Sequence, residues 1–365
     1  MYQAVATNGL MGAEGVPLFS PIIIVAGGAV LLWLLVLILR GLISRQTPRL
    51  SDLIEPSWRA AHGSRPEILR HLRRRFIGMI VIGILACISC LAWQFVAPQL
   101  GGLPVVLVPV MVWLAIMVAW SAWPWPREHD DGPRPDADHV EGAATHADLI
   151  RRGWTTFGPR WSFLLPGALL ALLVFGLAAA GLTSVEDESG RLRQLGYELQ
   201  GGAELDESGL VTEVLSGVGA SGPYPGWYYG GVILVVAFLA AIASLIVLGR
   251  NARRARPRDF RLFRLDNGVR AAVAYTVATL STAFLAFQGA VVGLMAATAQ
   301  FSAAQRTRFV VGEPIDAADI TFDPQFLTAS LTMVVIAIVL TVVGVMLLAS
   351  CSRRMTQAFG VREPV

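Results

Sequence analysis

Seven stretches of this chain are each long and apolar enough to cross a lipid bilayer as an α-helix. About twenty apolar residues span the hydrocarbon core, and none of the seven stretches carries a charged residue in its central part. Backbone groups inside lipid must bond to one another, which a helix achieves within one segment. The sequence therefore predicts an all-α polytopic membrane protein with seven transmembrane helices. The predicted spans are Phe19–Leu39, Phe76–Val96, Leu103–Trp123, Phe163–Thr183, Tyr228–Leu248, Ala271–Ala297 and Phe326–Leu348.

Arginine residues are unevenly distributed among the loops that join these spans. The chain has 29 basic residues, all arginine, and 25 of them fall in alternate loops and the C-terminal tail. Because positively charged loops stay in the cytoplasm, the pattern predicts an external N-terminus and a cytoplasmic C-terminus. External segments are then 1–18, 184–226 and 301–325. Cytoplasmic segments are the basic loop 40–75, the polar linker 124–161, the arginine-rich loop 249–270 and the tail 351–365.

The composition excludes several classes of protein. Hydrophobic residues make up 55% of the chain and charged residues 15%, which is typical of an integral membrane protein. The absence of lysine excludes chemistry that needs a lysine Schiff base, including retinal binding. Because every basic residue is arginine rather than lysine, the composition also indicates a GC-rich bacterial genome. We expect no signal peptide, because no basic stretch precedes the first span and Arg40 and Arg45 follow it directly.

The segment from Ser184 to Gly226 is the longest on the predicted external side, and it is acidic. It has enough aliphatic residues for short strands or helical turns, but not for an independent core. We expect it to fold against the helix bundle or against a partner, and to contact the second external segment, 301–325. The candidate interaction surface comprises Glu186, Asp187, Glu188, Tyr224, Trp227 and Tyr228.

A proline and aromatic run from Gly222 to Tyr229 enters an apolar span, and the arginine-rich loop from Arg250 to Arg270 follows that span. In these features the chain resembles a family of uncharacterised multi-spanning membrane proteins of actinobacteria. The resemblance implies a location in the plasma membrane and assigns no activity.

Polar residues are concentrated in the span Ala271–Ala297, the least apolar of the seven. Gly289 and Gly293 form a small-residue pair at helical spacing, which predicts a central and closely packed helix. Two interpretations stay open, because the polar groups either bond to neighbouring backbone or line a path for a solute. No charged group joins them within the span, which favours packing. The residues of the candidate polar path are Tyr275, Thr279, Thr282 and Gln288.

Two features distinguish the span Leu103–Trp123. Pro109 has no backbone N–H to donate, so it should kink or interrupt the outer end of the helix, as in the discontinuous helices of transporters. At the inner end, Trp120, Trp123 and Trp125 predict an aromatic belt at the cytoplasmic face.

Cys87 and Cys90 are spaced so that both sulfur atoms lie near one face of a helix, as redox pairs in membrane oxidoreductases require. The third cysteine, Cys351, lies at the opposite end of the predicted bundle, so no electron relay can be drawn. We interpret the pair as buried packing residues.

The sequence contains no recognisable motif for catalysis, nucleotide binding or metal coordination. His and Asp residues in the linker at 127–146 are too loosely spaced for a zinc site, and the external carboxylates lack the compact spacing of a calcium loop. The basic loop 40–75 has no folded domain suited to nucleic acid. We therefore expect no enzyme activity, no cofactor, no metal and no nucleic-acid partner.

Two functional hypotheses follow from these features. The leading one is a non-catalytic membrane protein, a subunit or sensor, that engages a membrane or envelope protein or another envelope ligand through its external segments. The alternative is a small-molecule permease, or a component of a transporter, that uses the interrupted helix at Pro109 and the polar span Ala271–Ala297. The lipid bilayer is a partner in both cases, and the sequence leaves the oligomeric state open.

Overall fold

The computed structural model describes residues 50–53, 67–124, 156–157, 160–254, 262–314 and 319–359. Helices account for 73% of them. The predicted span Phe19–Leu39 and most of the predicted linker lie outside the described residues. The helices are α1 (Glu67–Val96), α2 (Leu103–Val106), α3 (Val108–Ala122), α4 (Arg160–Leu182), α5 (Trp227–Arg253), α6 (Phe263–Ala304) and α7 (Pro324–Phe359), with short 3₁₀ turns at Leu50–Leu53 and Pro98–Leu100.

Five helices within the described ranges are long and apolar enough to cross a membrane, namely α1, α4, α5, α6 and α7. The predicted span Leu103–Trp123 is divided into α2 and α3 at Leu107, and α3 has 15 residues. The division lies just before Pro109, whose ring nitrogen has no hydrogen for the helical bond. The predicted interruption is therefore confirmed.

α6 lies at the centre of the bundle. Its most apolar window is 72% buried, against 11% for that of α1 and 17% for that of α4. The peripheral helices direct large apolar side chains outward, including Ile84 of α1, Phe175 of α4 and Ile242 of α5. Outward apolar faces of this extent suit lipid rather than water, so these helices indicate a membrane-embedded protein.

The pair Gly289 and Gly293 packs α6 against α7. A Cβ atom at Gly289 would lie 2.9 Å from Cδ1 of Leu340, and one at Gly293 would lie 3.5 Å from Cβ of Ala337. The missing side chains let the two backbones approach closely over a long contact. The prediction of a central, closely packed helix with this glycine pair at its interface is confirmed.

The longest interhelical segment forms an antiparallel sheet, β1 (Ser184–Glu186), β2 (Leu192–Leu205) and β3 (Val211–Ser221), in that order. Leu195 of β2 pairs with Ser184 on one side and Ser221 on the other. A turn at 206–210 joins β2 to β3. The all-α prediction therefore holds for the predicted spans that the structure describes and is wrong for this segment, because alternating aliphatic and polar residues pair better as strands.

A second sheet follows α6, where β4 (Gln305–Arg308) pairs antiparallel with β5 (Asp319–Phe322). The two segments are in contact: the N–H of Val211 donates to the carbonyl of Glu313, the N–H of Gly312 donates to that of Val211, and β2 packs against β4. The predicted contact between the two segments is confirmed. We call this end of the bundle the sheet end, and the end at Arg75, Arg250, Arg254 and Arg270 the arginine end.

All five membrane-length helices extend beyond their predicted spans at one end or both, and the largest extensions are in α1, α6 and α7. α1 begins at Glu67 rather than Phe76. α6 begins at Phe263 rather than Ala271, and α7 continues to Phe359 rather than ending at Leu348. The predicted boundaries follow hydropathy and therefore stop at the first charged residues. The helices continue further, because backbone hydrogen bonds do not depend on hydropathy and the charged side chains find partners.

Candidate functional site

Two tyrosines at the start of α5 attach it to the turn between α1 and α2. The hydroxyl of Tyr228 donates to the carbonyl of Leu100 at 3.2 Å, and that of Tyr229 donates to the carbonyl of Gly101. Gly101 has φ of +58°, a left-handed conformation that glycine adopts without a steric penalty. The aromatic run identified in the sequence therefore orients the helix from which the sheet extends.

Arg191 and Arg193 connect the sheet to the same turn. The guanidinium of Arg191 donates to the carbonyl of Gln99 at 2.7 Å and lies 5.2 Å from the ring centroid of Tyr228. Arg193 forms an ion pair with Asp187 within the segment, and its guanidinium also lies against Gly101 of the turn and bonds to the hydroxyl of Tyr229. Both arginines of this acidic segment are thus used to hold it on the bundle.

Asp187 closes the turn between β1 and β2. Its Oδ1 accepts the backbone N–H of Ser189 at 2.8 Å and that of Arg191 at 2.9 Å, and its side chain is 4% exposed. The bond from the N–H of Arg191 is the main reason that the pKa of Asp187 lies below its ordinary value. Burial opposes that shift, whereas Arg193 and Ser189 reinforce it.

The six predicted surface residues divide into two groups. Asp187 and Tyr228 make the internal contacts described above, and Tyr224 is buried with its hydroxyl 2.9 Å from Oγ1 of Thr183. The ring of Trp227 packs over Gly181 at the end of α4, yet the side chain is 42% exposed. The three predicted residues that stay accessible are Glu186, Glu188 and Trp227.

The sheet end also exposes apolar side chains that the sequence interpretation did not single out. Val218 on β3 is 83% exposed and lies opposite Glu198 in the strand pairing. Ile320 and Phe322 on β5 are 73% and 50% exposed. The available signal was the presence of β-branched and aromatic residues in otherwise polar segments, where strands favour them.

The four residues of the candidate polar path lie on different sides of α6. Tyr275, Thr279 and Thr282 fall within about 60° of one another around the helix, whereas Gln288 lies at least about 120° away. Tyr275 lies under the guanidinium of Arg354, with 4.0 Å to the ring centroid. The hydroxyl of Thr282 donates to a carbonyl of its own helix at 2.8 Å.

Gln288 contacts the interruption between α2 and α3. Its Nε2 donates to the carbonyl of Val106 at 3.1 Å, and the side chain is fully buried. Its Oε1 has no hydrogen-bond partner within the described ranges. A mainly apolar cavity of about 540 Å³ lies beside α3 and α6, with Pro109 and Phe284 in its wall.

A buried chain of hydrogen bonds links three helices and was missed in the sequence. Nε1 of Trp113 on α3 donates to Oγ of Ser244 on α5 at 3.1 Å, and Oγ of Ser281 on α6 lies 3.4 Å from that of Ser244. Interhelical bonds of this kind fix how neighbouring helices are rotated. Single Trp and Ser residues within apolar spans carry no spacing signal that reveals such a partner.

Charged residues at the arginine end form a second buried network. Asp266 and Arg270, one helical turn apart on α6, bond at 2.7 Å with their side chains 1% and 0% exposed. Arg270 also donates to the carbonyls of Asn251 and Ala252 at 3.0 Å and of Arg254 at 2.7 Å, and so caps the end of α5. The available signal was the i,i+4 pair of opposite charges just before a span.

The predicted aromatic belt on α3 is partly wrong. Trp120 is 3% exposed, because α3 packs against α1, α5 and α6, and the ring is enclosed rather than facing lipid. Trp123 packs over Gly78 of α1. Trp125 lies outside the described residues.

The cysteines and the possible metal ligands were compared with the geometry that thiol chemistry or metal binding requires. Cys87, Cys90 and Cys351 are free cysteines, with Cys90 and Cys351 buried. Among the described residues no group of three or more His, Cys, Asp or Glu side chains could hold a metal ion. The His and Asp residues at 127–146 lie outside the described ranges.

The fold and these contacts indicate a membrane-embedded protein whose helix bundle carries small β-sheets at one end and arginines at the other. The chain matches no family model, no curated protein and no solved structure.

Proposed function

We propose that this chain is a non-catalytic polytopic membrane protein, a subunit or sensor, that engages another membrane or envelope protein through its sheet end. The observation that carries the proposal is the exposure of Val218, at 83%, on a strand at the edge of its sheet. An edge strand presents unpaired backbone groups, and natural proteins usually protect such edges or use them for strand addition.

The attachment of β3 supports this proposal. Ser221, at the end of β3, donates its hydroxyl to the carbonyl of Ala299 on α6 at 2.7 Å, and its residue is buried. The other end of the strand is covered at Val211 by Gly312 and Glu313. The stretch between these contacts is held in place before a partner arrives, which lowers the entropic cost of binding.

A topology of seven spans completes the proposal. In it, α2 and α3 cross the membrane together, the span Phe19–Leu39 is the first helix, and the sheet end faces outside. The location of the arginines at the opposite end supports this orientation. The membrane is then the plasma membrane of a bacterium, with the C-terminus in the cytoplasm.

The test compares two valine-to-arginine variants at the sheet end. Val218→Arg places a charge on the exposed face of β3, and Val311→Arg makes the same change at a residue that is 61% exposed outside the strand. Each tagged protein is purified from native membranes in mild detergent, and recovered chains are quantified by mass spectrometry.

We expect a chain recovered in stoichiometric amount with wild type and with Val311→Arg, and at least tenfold less with Val218→Arg, as for a central interface residue. Recovery of no stoichiometric partner, or equal recovery with both variants, would contradict the proposal.

The alternative, a small-molecule permease, is supported by the contact between Gln288 and the interrupted helix. Irregular backbone at membrane depth is tolerated where protein covers it or where it lines a solute path, and transporter sites use discontinuous helices. The buried Oε1 of Gln288, with no partner within the described ranges, offers an acceptor at that point.

Flux of small uncharged solutes into proteoliposomes tests the alternative. Gln288→Leu should reduce the flux at least tenfold, whereas Gln300→Leu, the same change nearer the sheet end of α6, should leave it unchanged. Absence of flux for every solute in the panel, or an equal loss in both variants, would exclude this function.

A further inference from the structure

A cleft of about 900 Å³ opens at the arginine end, between the C-terminal ends of α3 and α5. Arg75, Arg250, Arg253 and Arg254 line it, together with Trp120. None of the described residues that line it is acidic. The cleft is therefore a positively charged recess at the boundary of the apolar helices.

Two of the arginines supply its accessible charge. The guanidinium of Arg250 donates to the carbonyl of Ser121, a neutral group that positions the side chain without cancelling its charge. Arg250 and Arg253 are exposed and form no ion pair with a carboxylate of the described part of the chain. Guanidinium groups in this state are well suited to bind phosphate oxygens.

Trp120 provides an independent observation. Its side chain is 3% exposed, it forms part of the wall of the cleft, and its Nε1 has no hydrogen-bond acceptor among the described residues. A buried indole N–H usually finds an acceptor. A buried side chain in the wall of the cleft thus has an unpaired donor close to a cluster of positive charge.

The wall of the cleft changes from basic to apolar along α5. Ile242, Ile246 and Arg250 are four residues apart and lie on one face of the helix. Ile242 and Ile246 are 53% and 47% exposed, and they lie farther along α5 from the arginine end than Arg250 does. At Gly249, beside Arg250, an added Cβ would meet no atom within 4 Å, so this part of the wall is open.

We infer that this cleft binds an anionic phospholipid, with the phosphate of the headgroup on Arg250 and Arg253 and an acyl chain along Ile242 and Ile246. The inference rests on the membrane-embedded helices and is independent of the partner proposed for the sheet end. A phospholipid fits better than a free phosphate because the basic and apolar parts of the wall are continuous.

Binding is tested with the purified chain in nanodiscs of phosphatidylcholine that contain increasing fractions of phosphatidylglycerol, read by thermal stability and by lipid retention in native mass spectrometry. We expect phosphatidylglycerol to stabilise the wild type and to be retained. The double variant Arg250→Gln with Arg253→Gln should bind it on the order of thirtyfold more weakly, since the loss of each guanidinium–phosphate contact in the cleft weakens binding about fivefold.

The matched control is Arg353→Gln, an exposed arginine near the end of α7 and outside the wall of the cleft. It removes charge near the membrane without altering the cleft, so we expect it to bind phosphatidylglycerol like the wild type. An equal loss in the control, or equal stabilisation by phosphatidylcholine alone, would overturn the inference. Full stabilisation by inorganic phosphate without anionic lipid would overturn the assignment to a lipid.

A second variant separates binding from folding. Gly249→Leu fills the open part of the wall without meeting a protein atom at its Cβ, and leucine favours helix more than glycine does. We expect this variant to stay monodisperse, to keep the stability of the wild type in phosphatidylcholine, and to lose retention of phosphatidylglycerol. Unchanged retention would show that lipid does not occupy the cleft.

Discussion

Arg270 is a charged residue in the least accessible part of the protein. Its side chain is fully buried, pairs with Asp266, and donates to three carbonyls at the end of α5. A buried charge is tolerated when its hydrogen-bonding groups are satisfied, and removal of one partner leaves the other uncompensated. The arginine therefore links the end of α5 to the start of α6.

Arg270→Ala should lower the free energy of unfolding by about 3 kcal/mol, the lower end of the range for a broken buried pair. Three buried carbonyls lose their donor, and Asp266 loses one of its two arginine partners but keeps Arg254. Thermal unfolding in detergent, followed by tryptophan fluorescence, measures the change. Arg264→Ala, at an exposed position on the same helix, is the control and should fall within about 0.5 kcal/mol of wild type. A similar small effect in both variants would contradict the assigned role.

Asp187 should make the sheet end sensitive to acid. The pKa of Asp187 is below the ordinary value of about 3.9, so the folded protein favours the ionised carboxylate over the protonated acid. The resulting stabilisation is present above that ordinary value and is lost as the pH falls through the folded pKa. Asp187→Asn should therefore be less stable than wild type above about pH 5, and the difference should shrink at lower pH.

Unfolding of Asp187→Asn and of wild type, measured between about pH 2.5 and pH 6, checks this dependence. Glu188→Gln changes the next carboxylate, which is exposed, and serves as the control; at neutral pH we expect it to unfold like the wild type. A constant difference between Asp187→Asn and wild type over the whole range would show that the carboxylate charge does not contribute.

At the scale of elements, the contact between α6 and α7 depends on missing side chains. Gly289 and Gly293 face Leu340 and Ala337 across the interface. Inside a membrane, lipid competes with apolar side chains for helix surfaces, so association depends on close packing. The glycine pair supplies this packing for the most buried helix of the bundle.

Gly293→Leu should destabilise the bundle by about 1 to 3 kcal/mol, because the larger side chain must displace α7 from its position. Gly231→Leu on α5 is the matched control, since an added Cβ there meets no atom within 4 Å. Both changes gain helix propensity, so the difference between their melting temperatures measures packing alone. Equal melting temperatures would exclude a tight contact at Gly293.

At the scale of the whole molecule, the two ends of the bundle differ in architecture and charge. One end carries two small sheets joined by the bonds between Val211 and residues 312–313. The other carries buried and exposed arginines around Asp266 and the cleft. This asymmetry is the basis of the proposed orientation in the membrane.

Cysteine labelling tests that orientation directly. In a background without Cys87, Cys90 and Cys351, a cysteine at Ser208, in the turn between β2 and β3, should react with a membrane-impermeant maleimide in intact cells. A cysteine at Ser352 should react only after the membrane is opened. Both positions are exposed, so the reverse pattern would mean that the bundle is inserted in the opposite sense.

Much of the candidate site could not be predicted from the sequence. The acidic segment, its aromatic end and its contact with the second segment were predicted. Three of the predicted surface residues, Asp187, Tyr224 and Tyr228, instead hold the sheet in place. Val218, which was not predicted, is more exposed than any of these three. The aromatic and charged content of a segment is the same whether its side chains anchor a sheet or form an exposed surface. Their roles depend on neighbours from distant parts of the chain.

The sequence by itself determined where the five described membrane-length helices lie, where a further apolar span is interrupted beside a proline, and how the arginines are distributed. These properties follow from apolar length and local backbone chemistry, which act within one segment. The tertiary structure alone decided that Gln288 bonds to Val106, Trp113 to Ser244 and Arg270 to the end of α5. Such contacts depend on how each helix is rotated and packed, and no local pattern encodes that rotation.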